Sequence, residues 1–311
     1  MIIKKILNKI LSKPLPTGSE VPIPIPEDKI GGSMLTTNSK TLDRPLVVID
    51  VGCRWGFAER FMQDADKFRV YGFDPDREEC ERLTKIYGHK APITLVPLGL
   101  AGTSGLRTLY ITSEPACSSL LPPDPELTAS YPSLYCARQE REIQVETTTL
   151  DLWVEGTDIS AVDYIKVDTQ GTELEILQGG SNTLEKVRSL EVEVEFNPIY
   201  QGQPLFSDVD LFLRKKGFVL WKLTNQVHYS RGAAARAPLG EDTIFYDDKY
   251  RISHLMYGGQ LYWGNAHYIH KTVLRPDLVS ESQRARDVAL FNVLGMNDVV
   301  QHIYSFQENI D

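Results

Sequence analysis

The sequence lacks a long apolar run: none approaches the ~20 residues that a helix needs to cross a bilayer, so a transmembrane protein is not predicted. Cysteine is scarce, and no two cysteines have the Cys-x-x-Cys spacing of a metal or redox site. We therefore predict that the four present are reduced thiols in a cytoplasmic protein: Cys53, Cys80, Cys117 and Cys136. Basic residues number 33 against 42 acidic ones, a net charge of −9. Nucleic-acid binding is not expected, because it depends on clustered lysine and arginine.

The first 13 residues differ from the rest in being basic and amphipathic. Isoleucine and leucine recur at helical spacing, lysines fill the gaps, and no acidic residue precedes Glu20. One prediction is that a helix over residues 1–13 makes peripheral contact with the inner membrane surface. The alternative is that this helix packs on its own domain or on a partner. Residues 14–43 are rich in proline and glycine and are predicted to form a linker.

From residue 44 the sequence alternates between strand and helix patterns. We predict strands over residues 46–51, 70–73, 93–96, 162–167, 190–196, 218–223 and 243–246, and helices over 57–62, 76–87, 172–179 and 207–216. A longer insertion, residues 98–150, contains two predicted strands and a proline-rich loop. This rhythm predicts a doubly wound, Rossmann-like α/β domain over residues 44–250 and a helical extension over residues 251–311.

Strand 190–196 alternates strictly between apolar and acidic residues. One of its faces is therefore expected to meet solvent or polar groups.

A glycine-containing turn follows the first predicted strand, in the stretch Asp50-Val-Gly-Cys-Arg-Trp-Gly56. Gly52 and Gly56 allow a tight turn and a close approach of a ligand to the backbone at a helix N-terminus. The Asp-x-Gly-x-x-x-Gly spacing differs from the Gly-x-Gly-x-x-Gly of dinucleotide sites and fits a smaller nucleoside cofactor better. A tight strand-to-helix turn that binds nothing is the alternative.

Two acidic residues support the cofactor interpretation, because each follows a predicted parallel strand. Asp74 ends the second strand, where a carboxylate can accept hydrogen bonds from ribose, although Asp74 or Asp76 could instead cap the next helix. Asp168 ends the fourth strand, and Glu173 falls in the first turn of the following helix, where capping is again the alternative. Carboxyl ends of parallel strands share one edge of a sheet, so Gly52, Asp74 and Asp168 are predicted to converge there.

Taken together, these stretches resemble the FkbM family of S-adenosylmethionine-dependent O-methyltransferases. The resemblance covers about residues 44–250 and is carried by residues 47–56, 145–151, 163–179 and 243–246. Its most specific part is the Lys-x-Asp-x-x-Gly-x-Glu pattern from Lys166 to Glu173.

The sequence departs from the usual family pattern at three places. Cys53-Arg54 replaces Ala-Asn, Asp74 replaces Glu, and Gln170 replaces Glu. The change at Asp74 keeps a carboxylate for the ribose. The changes at Arg54 and Gln170 alter the charge near the methyl group and the acceptor.

The resemblance implies S-adenosylmethionine as the cofactor and a set of residues that bind it: Asp50, Gly52, Cys53, Gly56, Asp74, Leu100, Ser118, Ser119 and Asp168. Within that set, the glycine turn would hold the methionine part, Asp74 the ribose, and the residues around Leu100 the adenine. Ser118 and Ser119 match a family loop that closes over the site. Asp168 would lie close to the transferred methyl.

Methyl transfer to an alcohol needs an aligned acceptor oxygen and a base that takes its proton. The candidate bases are Asp168, Glu195 at the exit of the fifth strand, and His228 in a predicted hairpin between the last two strands, where it could equally be a surface residue. Asp168 with Glu195 could hold a divalent cation, although no motif indicates one. His267 and His270 are interpreted as structural, because no nearby carboxylate or cysteine completes a metal site.

The sequence thus predicts O-methylation of a hydroxyl on a sugar, glycan or secondary metabolite, with a small-molecule or glycan acceptor. Two alternatives stay open. One is a non-catalytic module that binds a nucleoside cofactor. The other is a nicotinamide-dependent oxidoreductase, which the glycine spacing and the motif around Asp168 disfavour. No particular oligomeric state is predicted.

Overall fold

The computed structural model describes residues 42–62, 65–88, 93–229, 238–245, 251–257 and 259–308. The predicted N-terminal helix and nearly all of the predicted linker lie outside the described residues. The strands within the described ranges are β1 (Leu46–Val51), β2 (Phe68–Phe73), β3 (Ile93–Val96), β4 (Gly99–Leu100), β5 (Gly105–Thr112), β6 (Gln139–Thr148), β7 (Tyr164–Val167), β8 (Ser189–Glu195), β9 (Phe218–Tyr229), β10 (Pro238–Phe245), β11 (Arg251–Tyr257) and β12 (Gln260–His270). The α-helices within them are α1 (Arg77–Tyr87), α2 (Pro125–Ser130), α3 (Leu150–Glu155), α4 (Glu173–Gly179), α5 (Phe206–Lys215), α6 (Glu281–Val293) and α7 (Asn297–Glu308).

The central sheet has seven strands in the order β3-β2-β1-β7-β8-β12-β9. Neighbours among the first five strands pair in parallel, and β12 runs antiparallel to both β8 and β9. The strand order reverses between β1 and β7, and ligands of doubly wound sheets bind at the carboxyl edge beside such a reversal. The predicted doubly wound α/β fold is confirmed.

The core packs against both faces of β1. All six residues of β1 are buried, as expected for a strand with covered faces. Ile49, Ile165, Leu177 and Leu213 are fully buried in one cluster that joins β1 and β7 to helices α4 and α5. This packing fixes the carboxyl ends of β1, β2 and β7, from which the candidate site is built.

The insertion between β3 and β7 forms its own three-stranded sheet, in the order β4-β6-β5. Its proline-rich part contains two 3₁₀ turns, Pro115–Cys117 and Pro132–Ala137, with α2 between them. Isolated bridges join Ser119 to Tyr110 of β5 and Pro123 to Tyr200, which follows β8. The insertion therefore packs against the chain at the carboxyl edge of the central sheet.

Buried ion pairs attach the C-terminal helices to the sheet. Arg286 of α6 donates to both carboxylate oxygens of Asp163, at 2.9 and 2.7 Å, and Arg188 pairs with Asp287 at 2.7 Å. Asp163 also accepts from the backbone amide of Val47 at 2.8 Å. The family-like stretch from residue 163 thus begins with a structural residue. In the described part of the chain, no helix is long and apolar enough to span a membrane.

One predicted element near the start of the domain differs from the structure, and the expectation that one face of the fifth strand meets solvent or polar groups is resolved in favour of polar groups. The predicted helix over 57–62 is a single 3₁₀ turn, Glu59–Phe61, because Ala58 is extended and makes no side-chain cap. Strand β8 is buried along nearly its whole length, so its acidic face meets polar side chains and not solvent.

The C-terminal part of the sheet also differs from the prediction. Residues 243–246 were predicted to pair in the central sheet, but β10 pairs with β11 in a separate two-stranded sheet, and Tyr246 lies outside the described residues. The extension after residue 250 was predicted to be helical, but β12 occupies the place between β8 and β9, and the helices begin only at α6. Tyr268 and Ile269 are fully buried, which explains why this stretch is a central strand.

Candidate functional site

The turn after β1 is compressed against the end of β7. Gly52 has a φ of +78°, and a Cβ atom there would collide with the backbone oxygen of Asp168. The amides of Gly52 and Cys53 donate to the carbonyl of Phe73, at 2.9 and 3.1 Å. Gly56 has a φ of +111°, and its Cβ would collide with the Tyr87 hydroxyl. Glycine is therefore required at both positions by the turn itself.

Two buried side chains flank this turn. The Oδ1 atom of Asp50 has no hydrogen-bond partner among the described residues and lies 3.7 Å from Nζ of Lys166. Burial raises the pKa of Asp50. Burial also raises the pKa of the Cys53 thiol well above its ordinary value, so Cys53 is a packing residue and not a nucleophile.

Asp74 and Asp76 have different roles after β2. The Asp76 carboxylate accepts from the amides of Glu78 and Glu79 and is the N-cap of α1. Asp74 is 3% exposed, and its Oδ1 accepts from the amide of Asp76 at 2.8 Å. Arg54 contacts both acids, at 2.8 Å from Asp76 and 3.7 Å from Asp74. Burial, only partly offset by Arg54, raises the pKa of Asp74 to about 6.

Asp168 is the centre of a hydrogen-bond network at the end of β7. Lys166 donates to its Oδ2 at 3.0 Å, and the Gln170 amide donates to its Oδ1 at 3.2 Å. Gln170 has a φ of +63°, uncommon for a residue with a side chain, and the same amide nitrogen also donates to Glu193. Burial alone would raise the pKa of Asp168, but the Lys166 ammonium and hydrogen bonds from Glu193, Lys166 and Gln170 lower it below its ordinary value.

Three more carboxyl groups lie buried around Asp168: Glu173, Glu193 and Glu195. Burial and then the Asp168 charge raise the pKa of Glu193 well above its ordinary value, and burial with the charge of Glu173 does the same for Glu195. Two nearby carboxylates seldom both ionise in such a setting, and a hydrogen bond from Glu193 contributes to the lowered pKa of Asp168. Glu173 accepts from two backbone amides of its own turn, at 2.8 and 2.9 Å, and supports that turn.

The insertion loop covers the turn at Gln170. The Ser119 hydroxyl donates to the backbone oxygen of Gln170 at 2.7 Å and is 1% exposed. The Tyr200 hydroxyl donates to the backbone oxygen of Cys117 at 2.5 Å and lies 3.3 Å from Oε1 of Gln170. The Ser118 hydroxyl accepts a hydrogen bond from the amide of Thr112, the last residue of β5, at 3.2 Å, and so ties the loop to the end of that strand.

The remaining candidates lie farther from this network. Leu100 is buried in the main core cluster. His228 is not in a hairpin loop but in β9, opposite Leu261 and two strands beyond β8, and burial lowers its pKa. His267 lies 2.7 Å from the Thr224 hydroxyl and His270 lies 2.8 Å from the Thr272 hydroxyl. Within the described ranges, no group of three or more side chains could hold a metal ion.

Sequence reasoning missed Glu193 and Tyr200. The available signal for Glu193 was the alternation of three glutamates along a strand that lies between buried strands. Such a strand has no solvent-facing side, so its carboxyl groups must be neutralised by protons or partners. For Tyr200 the sequence carries no local signal, since its partners lie 30 and 83 residues away.

A family model described as the methyltransferase FkbM domain matches residues 50–220. The chain belongs to the FkbM methyltransferase family. The match runs from the end of β1 to the start of β9 and contains the glycine turn, Asp74, the Asp168 network and the insertion. The family predicted from the sequence motifs is confirmed.

Two curated relatives are similar to about half of this FkbM-family chain. The 2-O-methyltransferase NoeI of Sinorhizobium fredii is 28% identical over 174 residues, which cover 53% of this chain and 70% of NoeI. The hexuronic acid methyltransferase AglP of Haloferax volcanii is 30% identical over 168 residues, which cover 51% of this chain and 64% of AglP. A solved structure of methyltransferase FkbM from Methylobacillus flagellatus is 14% identical, with a TM-score of 0.39, and the match covers 73% of this chain and 44% of that one.

Both charge-changing departures from the FkbM pattern have partners in the structure. Arg54 forms ion pairs with Asp74 and Asp76, the two acidic residues that follow β2. Gln170 joins Asp168 to Glu193 through one neutral amide. A glutamate at position 170 would bring a further negative charge to this buried acidic cluster.

Proposed function

We propose that this chain transfers a methyl group from S-adenosylmethionine to a hydroxyl group of a sugar, either free or within a glycan. The observation that carries the proposal is the carboxylate of Asp168, held between Lys166 and Gln170 beside the glycine turn of an FkbM domain. The acceptor class is supported by the relatives, which are named a 2-O-methyltransferase and a hexuronic acid methyltransferase.

The residues of this edge fit the proposed cofactor. Asp50 offers a buried carboxylate oxygen without a hydrogen-bond partner among the described residues, which suits an ammonium group. Asp74 offers a second buried carboxylate, which suits ribose hydroxyls. We assign the methionine part to the glycine turn with Asp50 and the backbone of Cys53, the ribose to Asp74, and the adenine to the residues around Leu100. When bound, S-adenosylmethionine supplies a methyl group activated by its positive sulfonium.

We assign the role of base to Asp168. Lys166 keeps this carboxylate ionised at neutral pH, so it can take the proton that an acceptor hydroxyl loses. Glu195 is a poorer candidate, because burial and the charge of Glu173 raise its pKa, which disfavours the ionised form that a base needs. His228 is also poorer, because it lies two strands beyond β8.

The insertion loop would contribute by excluding water. Ser119 and Tyr200 hold the loop on the backbone and side chain of Gln170, next to Asp168. A covered site strengthens the interaction of charged groups with one another and prevents loss of the methyl group to water. In this proposal Ser118 and Ser119 fix the conformation of the loop and do not contact the cofactor themselves.

The test is incubation of the full chain with methyl-labelled S-adenosylmethionine and separate pools of neutral and acidic saccharides. The proposal predicts label in a sugar ether that survives mild alkali, because a methyl ether resists base whereas a methyl ester does not. Label that is released by mild alkali would assign transfer to a carboxylate instead. Binding of S-adenosylmethionine without any transfer would support the non-catalytic alternative.

A further inference from the structure

A cleft of about 380 Å³ lies between the insertion and the chain that follows β8. Three residues of α2 form part of its lining, Pro125, Thr128 and Ala129, and the other walls are Pro122, Pro123, Arg138, Gln139 and Gln201. Its volume falls at the lower end of the ~300–1,000 Å³ typical of small-molecule sites.

The walls of the cleft are continuous with the cover of the candidate site. On one side, Ser119 bonds to Gln170, and the proline wall begins three residues later. On the other side, Tyr200 lies against the same glutamine, and Gln201 is the next residue. The amide of Gln201 donates to the carbonyl of Pro122 at 2.8 Å, which ties the two walls together. A molecule in the cleft therefore lies against the two segments that contact Gln170, which in turn donates to Asp168.

The charge of the lining favours an anion. The lining contains one arginine and no acidic residue, although the chain has a net charge of −9. Arg138 is exposed, and among the described residues no carboxylate pairs with its guanidinium. The side-chain amide of Gln139 is already engaged by Glu142 at 2.9 Å, and that of Gln201 by the carbonyl of Pro123 at 3.4 Å. Arg138 is thus the group of the lining that is available to a charged ligand.

We propose that this cleft binds a carboxylate-bearing saccharide unit of the acceptor, with Arg138 as the residue that selects it. A guanidinium matches a carboxylate through two parallel hydrogen bonds, which gives specificity as well as attraction. The proline rings provide apolar surface for the carbon face of a sugar ring. The inference rests on the proposed function, because it takes the acceptor to be a sugar.

The test measures binding, which needs no methyl transfer. The probes are a disaccharide of glucuronic acid and N-acetylglucosamine, and the same disaccharide with its carboxyl group reduced to an alcohol. Titration of the full chain should give about tenfold tighter binding of the acidic probe. Arg138→Gln should remove this preference while leaving the affinity for the reduced probe unchanged.

Arg141→Gln is the matched control, since Arg141 is an exposed arginine of β6 that does not line the cleft. It should keep the preference for the acidic probe. Equal affinity of the wild-type chain for both probes, a preference that survives Arg138→Gln, or no binding of either probe would overturn the proposal. Titration of the wild-type chain and of each variant with S-adenosylmethionine separates the proposal for the cleft from the proposed methyltransferase function. Failure of the wild-type chain to bind that cofactor would refute the proposed function. The probe titrations test the proposed saccharide site in the cleft independently of that result.

Discussion

Replacing Asp74 with asparagine should stabilise the fold at neutral pH and weaken the binding of S-adenosylmethionine. Asp74 is 3% exposed, and burial raises its pKa from 3.8 to about 6. The folded state therefore prefers the protonated acid, so stability falls as pH rises from about 4 to about 6, and the whole cost is present above that window. A rise of this size corresponds to a cost of about 3 kcal/mol at neutral pH.

Asparagine has nearly the same shape as the protonated acid and carries no charge. Urea unfolding should therefore find Asp74→Asn more stable by up to about 3 kcal/mol at pH 7.5 and equal to the wild type near pH 4. Calorimetric titration should find S-adenosylmethionine bound about ten- to a hundredfold more weakly, because a charged acceptor to ribose is lost.

Asp76→Asn is the control for both measurements. Asp76 caps α1 and contacts the same Arg54, and asparagine caps a helix about as well as aspartate. Its stability should change by less than about 1 kcal/mol. If Asp74→Asn is less stable than the wild type at pH 7.5, the argument from burial is wrong. If the variant binds the cofactor normally, Asp74 does not hold the ribose.

Two further predictions concern Glu193 and the N-terminus. Glu193→Gln should keep turnover within about threefold of the wild type, because the glutamine amide can still donate a hydrogen bond to Asp168. Glu193→Ala removes that donor and should lower turnover at least about tenfold. A loss of turnover in the Gln variant as large as in the Ala variant would show that Glu193 works as an ionised base. On anionic vesicles the full chain should co-sediment more than a chain that starts at residue 44, since each lysine near such a surface contributes ~1 kcal/mol and salt weakens the effect. Equal sedimentation of the two would assign residues 1–13 to packing instead.

The parts of the fold that the sequence predicts well are those with local causes. The six buried residues of β1 and the glycine that follows them are both visible in a stretch of seven residues. Helix α1 has its cap, Asp76, immediately before its first residue. Because strands that alternate with helices run parallel, their carboxyl ends lie at one edge of the sheet, and the shared edge of Gly52, Asp74 and Asp168 could be anticipated too.

The parts that could not be predicted depend on distant pairing. Strand β12 pairs with β8, although some 65 residues of chain separate them. No pattern within residues 260–270 indicates which strand they pair with. The state of Glu193 likewise depends on Asp168 of the neighbouring strand and on the unusual φ of Gln170. Local patterns therefore located the candidate site, but not the coupling between Asp168 and Glu193.

The most direct test of the account compares Asp168→Asn with the wild-type chain for both cofactor binding and methyl transfer. Asparagine preserves the shape of the side chain but cannot take a proton from the acceptor. The account predicts that the variant binds S-adenosylmethionine within a few fold of the wild type, while transfer of labelled methyl to the responsive saccharide pool falls at least about a hundredfold. Near-normal transfer by Asp168→Asn would contradict the assignment of Asp168 as the base.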